Sequence, residues 1–539
     1  MKFAFAFQKG IMRKENIHIG FPLLLSLSLT VGMIFGYKLK ENMGSFAPSF
    51  GNSNHHQQVN ELIELIRMKY VDSVAVDSIK DKTIELLLAE LDPHSTYLPV
   101  DRAALLNEEM KGKFSGIGIQ FEIIQDTLSV ISILDNSPAA TSNLKPGDQI
   151  MAINGQTVFG KNLTTEDLKK MVRGEKGSSV ELLVLRAGQS FRLSLQRADI
   201  PSESVDAAYF IAPKTGFIRI SKFSEKTYEE FMQHLEKMKN EGMEQLILDL
   251  RDNGGGLLDD AVQIADEFIE GNKSIVTTKG AHVLPQVYTA RRPGLFETGK
   301  LVVLINEQSA SASEVLAGAL QDWNRATIIG RRSFGKGIVQ EQFQLSDGSA
   351  VRLTVARYYT PVGRNIQKPY MRGNDSIYRN EISHRYKNGE LIHQNQHVHS
   401  NKKFTLKDGR TVYGEEGISP DYFIPLDSQR IALSEHSDLY RGKLTRLALT
   451  FYQRELTRLK NAKQQKDISE ILNNDPIINE KIKDIQTELT DHRISIQDLV
   501  LLDELKDILI WILWKKEGYY QSINEKDPMT MKALEILRQ

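Results

Sequence analysis

The 539-residue chain contains no cysteine. That absence excludes a disulfide framework, a cysteine nucleophile, zinc–thiolate sites and a lipoprotein-type lipid attachment. It leaves the compartment open, because a cysteine-free protein suits either side of a membrane. An extended basic block is also missing: 68 Lys and Arg stand against 69 Asp and Glu, a formal net charge of −1. Composition therefore gives no reason to expect a nucleic-acid partner. What remains, 41% hydrophobic and 25% charged residues, is the make-up of a folded protein. The length suggests about three globular units.

One segment lacks charge altogether. From Ile17 to Tyr37 there is no Asp, Glu, Lys or Arg, and a helix there would cover a hydrocarbon core of about 30 Å. Lys2, Lys9, Arg13 and Lys14 precede it, which favours a cytoplasmic N-terminus over residues 1–16 and an exported remainder. The alternative is a cleaved signal peptide. Because Gly36-Tyr37-Lys38-Leu39-Lys40 lacks a small-x-small cleavage site, an uncleaved anchor over 17–37 is expected. Residues 38–57, rich in Gly, Ser and Asn, read as a linker.

Beyond the linker, helical spacing of Leu62, Ile63, Leu65 and Ile66, and a second helix carrying Ile84, Leu86, Leu87, Leu88 and Leu91, predict a helical region over 58–104. It stops at Asp92-Pro93. Residues 105–200 form a β-rich module: Ile117, Ile119 and Phe121 alternate, Leu144 to Asp148 is a turn, and a helix starts at Thr164/Thr165. Over 201–425 strands alternate with helices, which predicts an α/β core with parallel strands. Residues 368–411 read as a polar surface insertion, and 426–539 as a helical C-terminal extension. In that extension Ile508 to Trp514 is too short to span a bilayer and predicts a buried helix or a dimer contact.

Chemistry gathers at two turns. Ser309, Ser311 and Ser313 stand between the strand Leu301–Ile305 and the helix expected after it. No Gly-x-Ser-x-Gly elbow surrounds Ser311, and no histidine lies near it in sequence. A serine needs a base, and Lys336 in Ser333-Phe334-Gly335-Lys336-Gly337 offers one if burial lowers its pKa from about 10.4. Phe334, Ile338 and Val339 supply apolar neighbours, and Gln340 could hold the amine without adding charge. A helix N-terminus suits an oxyanion, with Ala312 as first donor and the Asn253-Gly254-Gly255-Gly256 turn as a second source. The competing role is structural, since Ser311-x-x-Glu314 is also a capping box. Spacing alone does not choose among the three serines.

Taken in order, these strings resemble the carboxy-terminal processing proteases, the tail-specific S41 peptidases that carry a PDZ domain. The resemblance spans roughly Val59 to Asp421. It rests on Leu91-Asp92-Pro93-His94-Ser95-Thr96-Tyr97, Gly116-Ile117-Gly118-Ile119, Leu250 to Gly256, Ser309 to Gly318, Ser333 to Gln340, Leu353 to Pro361 and Gly417 to Asp421. It implies a multidomain α/β protein with a crotonase-like protease core. It also implies Ser311 as nucleophile, Lys336 as base and Gln340 in support, with Ala312 and Gly255 forming the oxyanion hole. The family often has proline before its paired glycines, where this chain has Gly254. The PDZ domain would bind a protein C-terminus at Gly116, Ile117, Gly118 and Ile119 with Leu168, and Arg173 would act as its gate.

The expectation is therefore a serine endopeptidase anchored in a bacterial inner membrane, with its bulk in the periplasm or extracytoplasmic space. Its C-terminal helices would pair it as a homodimer. No metal, nucleotide or organic cofactor is implied. His393, His397 and His399 read as a solvated loop, while Asp92 and His94 read as structural. Two rivals remain: a catalytically silent PDZ scaffold, and an acyl-CoA enzyme for which no phosphate site is evident.

Overall fold

The computed structural model describes Ser26, Thr30, Val31 and Met33, then residues 57–371, 375–393, 400–427, 437–491, 494 and 497–539. The segment 17–37 thus falls outside the described residues at all but four positions, and residues 1–16 and most of the linker fall outside them entirely. Among the described residues no helix is long and apolar enough to cross a membrane.

Residues 1–82 form a unit of their own. Its helix Gln57–Lys69 carries the apolar stripe on its surface, with Leu62 and Leu65 more than half exposed. The rest of the chain, from Thr83 on, makes one compact unit in which three layers matter for function.

The first is the β-rich module. Its sheet runs Ile119–Ile124, Thr127–Ile133, Gln149–Ile153, Ser179–Arg186, Gln189–Gln196, so Ile119–Ile124 is an edge strand. Alternation decides the faces: Val130, Ile150, Val180, Leu182 and Val184 are buried in its core. The helix Thr165–Val172 covers that core and starts as the sequence predicts. The Asp167 amide donates to Thr164 Oγ1 (3.2 Å), and the Thr164 amide donates back to Asp167 Oδ2 (3.0 Å).

The second layer is a six-stranded sheet in the order Val205–Ala212, Thr215–Ile220, Gln245–Asp249, Lys300–Ile305, Thr327–Gly330, Tyr422–Phe423. Only the first pair is antiparallel. Helices Thr227–Asn240, Leu258–Asp266 and Ala312–Asp322 cover one face, where Leu246, Leu248, Val303 and Ile305 point. The opposite face shows Phe217, Ile247, Val302, Leu304 and Ile329, and Met529, Ala533 and Leu537 of the helix Pro528–Arg538 bury it. The third layer is a sheet of Thr96–Leu98, Ser274–Lys279, Gln286–Thr289, Ile338–Gln344 and Ala350–Tyr359.

The C-terminal region and the 368–411 segment are built further into the fold than their composition discloses. The last C-terminal helix is a structural layer of the central sheet, because parallel strands expose apolar side chains on both faces. Ile508 to Trp514 lies inside the helix Asp498–Asn524, whose Leu505, Leu509, Ile510 and Ile512 are buried within this chain alongside Ile124 and Ile131 of the β-module. Of the two readings offered for this stretch, the buried helix is the one the chain shows. The described part of the 368–411 insertion is mostly at the surface, as expected, but it also reaches inward. Its helices Asp375–Arg379 and Glu381–Lys387 bring in the buried Tyr378 and Arg385, and Lys368 pairs with Glu381 at 3.0 Å. Its polarity reflects buried ion pairs, including Arg332 with Glu390 at 2.8 Å, which composition alone cannot tell from solvent exposure. Of His393, His397 and His399, only His393 lies among the described residues.

Candidate active site

The strand Lys300–Ile305 delivers the chain to the serine turn, and the helix Ala312–Asp322 leaves it. Ser311 sits at the junction with φ +56° and ψ −114°, a backbone state that a non-glycine residue holds only when its surroundings enforce it. The enforcement is visible. The Ser311 amide donates to Glu314 Oε2 (2.8 Å), and the Ala310 amide donates to the Asn253 carbonyl (3.0 Å). Ser311 and Glu314 stand in capping-box arrangement, but only the Glu314 half is a hydrogen bond. The Ser311 hydroxyl makes no capping hydrogen bond.

The neighbouring serines are otherwise employed. Ser309 Oγ donates to the Leu250 carbonyl (2.7 Å), and Ser313 Oγ donates to the Asn253 carbonyl (2.9 Å). Both are fully buried. Ser311 instead lines a cleft of about 330 Å³, together with Gly255, Ala312, Lys336, Gln340 and Arg352.

Glu314 does more than a capping partner could. It is buried, and it accepts from the Ser333 hydroxyl (2.5 Å) and from the amides of Gly335 (2.7 Å) and Lys336 (2.8 Å) as well as Ser311. One carboxylate therefore fastens the serine turn to the lysine turn. Burial pushes its pKa up, while these four donors pull it down. Tyr358, also buried, places its hydroxyl between the carbonyls of Ser311 (3.0 Å) and Lys336. Sequence reading missed the reach of Glu314 and missed Tyr358 entirely.

Lys336 Nζ gives its hydrogen bond to Gln340 Oε1 (2.8 Å), not to Ser311. Gln340 is oriented in turn, since its Nε2 donates to the His94 carbonyl (2.7 Å). The turn presenting that carbonyl is fixed by Asp92, which accepts from the amides of His94 (2.8 Å) and Ser95 (2.9 Å). Asp92 and His94 are structural, as expected, yet their structure ends at the lysine. Burial first, and the nearby Arg352 guanidinium second, lower the Lys336 pKa to about 8. Arg352 sits opposite Gln342 in the register that pairs Gln340 with Thr354, so it shares a face of the hairpin with Gln340. The Lys368 ammonium lies over the Phe334 ring, 3.7 Å from its centroid.

The glycine turn is close but differently used. The Gly255 amide donates to Asn253 Oδ1 (2.8 Å), so in this state it is not a free oxyanion donor. What Gly255 contributes is clearance. At φ +100°, a Cβ there would stand 2.7 Å from Ser311 Cβ and 2.8 Å from the Ala310 carbonyl. Gly255→Ala is therefore expected to shift the serine turn and lower kcat by roughly 10²-fold with little change in KM. Steady-state kinetics on a folded variant check it, and an unaltered kcat would mean the turn yields without moving Ser311.

In the β-module, Gly116 ends the strand Lys113–Gly116, Ile117 is buried, and Gly118 has φ +79° where a Cβ would meet Ser137 at 2.1 Å. Gly116 to Ile119 line a groove of about 800 Å³ with Thr165, Lys169 and Val172. Leu168 does not line it. Its side chain packs in the module core, because Thr165, Lys169 and Val172 occupy the helix face turned to the groove. Arg173 lies over Phe114 at 4.7 Å and pairs with Glu108 at 3.7 Å. It does not meet Ser311 or Lys336. It reaches the helix Val100–Met110, whose Leu106, Glu109 and Met110 line the catalytic cleft.

A serine turn and a lysine turn on an α/β core, beside a carboxylate-loop β-module, define a serine-type peptidase with a PDZ domain. Residues 214–374 match peptidase family S41, and residues 115–196 match the PDZ domain. The carboxy-terminal-processing protease of Bartonella bacilliformis is 31% identical over 394 residues, 72% of this chain and 88% of that one. The carboxy-terminal processing protease CtpA of Bacillus subtilis is 34% identical over 328 residues, 60% of this chain and 69% of that one. The chain belongs to the carboxy-terminal-processing proteases of family S41. Among solved structures, the photosystem II D1 C-terminal processing protease shares 25% identity, covering 69% of this chain and 94% of its own with a TM-score of 0.36.

Proposed function

We propose that this peptidase works through a Ser311–Lys336 dyad, on proteins whose C-termini its PDZ domain captures, at the outer side of a bacterial inner membrane. The observation that carries the dyad is the fate of the hydroxyls. Those of Ser309 and Ser313 are spent on backbone carbonyls, while Ser311 opens into the cleft that Lys336 lines. With a pKa near 8, about a tenth of the lysine is neutral at pH 7. The neutral amine takes the Ser311 proton as Oγ attacks the scissile carbonyl. Negative charge then develops on the carbonyl oxygen, toward the Ala312 amide at the helix start. The Gly255 amide joins it by exchanging Asn253 Oδ1 for the oxyanion. Lys336 passes its proton to the leaving amine, which gives the acyl-enzyme, and the regenerated amine deprotonates the water that hydrolyses it. Gln340 aims Nζ throughout without adding a charge that would raise its pKa. Arg173, tied to the helix that walls the cleft, links PDZ occupancy to the site.

Detergent-solubilised full chain should cleave an unfolded reporter with a free apolar C-terminus, and should lose most of that activity when the same C-terminus is amidated. Cleavage indifferent to amidation would remove the capture step, and no cleavage of either would favour the silent scaffold. For the anchor, the full chain should stay with membranes after an alkaline wash while a form lacking residues 1–37 is released. Release of both would refute it.

A further inference from the structure

The PDZ groove has a wall that neither matched family supplies. The matches end at residue 374, yet Tyr440, Ile508, Trp511 and Tyr519 of the C-terminal helices line the groove beside Gly116 to Glu122. Alternation along the edge strand explains how. Ile119, Phe121 and Ile123 pack on the PDZ core. Gln120 and Glu122 point the other way, where Trp511 Nε1 donates to Gln120 Oε1 (3.1 Å) and Thr445 Oγ1 donates to Glu122 Oε2 (3.1 Å). Ile124 and Ile131 are buried in the helical cluster itself, so the helices are seated on the outer face of the PDZ sheet. A second cavity of about 980 Å³ continues along the same strand, sharing Phe121, Glu122, Thr165 and Arg441 with the first. Together they flank the whole strand Ile119–Ile124, about 20 Å at roughly 3.3 Å per residue.

We propose that the C-terminal helices are the outer wall of the PDZ groove and read every second side chain of a bound protein C-terminus, favouring large apolar residues at the penultimate position. This rests on the capture of C-termini described above. A peptide added beside the edge strand alternates its side chains between two faces. Its terminal and third-last residues face the PDZ core. Its penultimate and fourth-last residues, which on an isolated PDZ domain would face water, meet Ile508, Trp511, Tyr440 and Tyr519 instead. Glu504 and Asp507 stand on the same wall, and Arg441 lies 3.9 Å from Glu122, so an acidic penultimate side chain is disfavoured.

The test uses full chain carrying Ser311→Ala, so that peptide is bound but not cut, and fluorescence anisotropy of labelled six-residue peptides. Trp511→Ala should weaken a peptide with penultimate Phe roughly tenfold and change one with penultimate Ser by less than about twofold. Independently, Glu504→Lys should strengthen a peptide with penultimate Asp, which keeps the proposal testable if Trp511→Ala fails to fold. Equal losses for the Phe and Ser peptides, or none, with Asp binding unmoved by Glu504→Lys, would overturn the outer wall. An amidated Phe peptide is the control. If it binds as well as the free acid, C-terminus capture itself falls and takes the proposal with it. If it binds poorly while the substitutions do nothing, only the wall falls.

Discussion

Alanine at Ser311 is expected to cut peptide hydrolysis by about 10⁴-fold or more, with the fold and Tm essentially unchanged. The same substitution at Ser309 or Ser313 is expected to do the reverse. Each of those hydroxyls supports one buried backbone carbonyl, at 2.7 Å and 2.9 Å respectively. Losing one such bond costs about 1 kcal/mol of stability, which leaves a less stable enzyme that still turns over. Three serines within five residues thus divide into one chemical and two structural, and parallel kinetics and thermal melts of the three variants separate them. A loss at Ser309 or Ser313 as deep as at Ser311 would contradict the assignment.

The second large effect concerns a residue two steps from the chemistry. Replacing Arg352 by Met should move the acid limb of the kcat/KM profile to higher pH. On the proposed mechanism Lys336 acts as the neutral amine, so activity should fall as pH drops through its pKa, near 8. Burial pushes that value down first and the Arg352 guanidinium second, while Glu314 and Asp92 pull it up. Without the guanidinium the ammonium form is penalised less, the pKa rises, and less enzyme is active at neutral pH. A rise of one unit would remove about nine-tenths of the activity at pH 7. Arg352→Lys keeps the charge and should keep the limb near its place. A profile from about pH 6 to 10 checks the shift, and a stationary limb in Arg352→Met would show that burial alone sets the pKa.

Arg352 also marks the boundary of what the sequence could disclose. The serine and lysine turns, the PDZ loop and the parallel sheet are written in short strings with periodicity 2 or 3.6, so they were legible. Arg352 becomes a neighbour of Lys336 only through the register of the Ile338–Gln344 and Ala350–Tyr359 hairpin. Tyr358 reaches Ser311 across 47 positions, and Gln340 reaches His94 across 246. No local pattern encodes such pairings. Leu168 shows a finer limit: its apolar character was evident, but whether an apolar helix residue faces a groove or a core depends on the angle at which the helix is laid down. The buried ion pairs of the insertion were hidden for a related reason, because charges that pair in the interior have the same composition as charges in water.

Glu314 ties Ser311, Ser333, Gly335 and Lys336 with four hydrogen bonds, whereas the Asn253 side chain holds the Gly255 amide with one. Removing the carboxylate would strand those donors in the interior at about 1–3 kcal/mol each, so this one side chain holds the Ser311 and Lys336 turns together. The glycine turn facing them is held through its carbonyls, since that of Asn253 accepts from the Ala310 amide and the Ser313 hydroxyl and that of Gly255 accepts from the Phe223 amide. Turning the Gly255 amide toward the cleft therefore needs only one side-chain hydrogen bond to break.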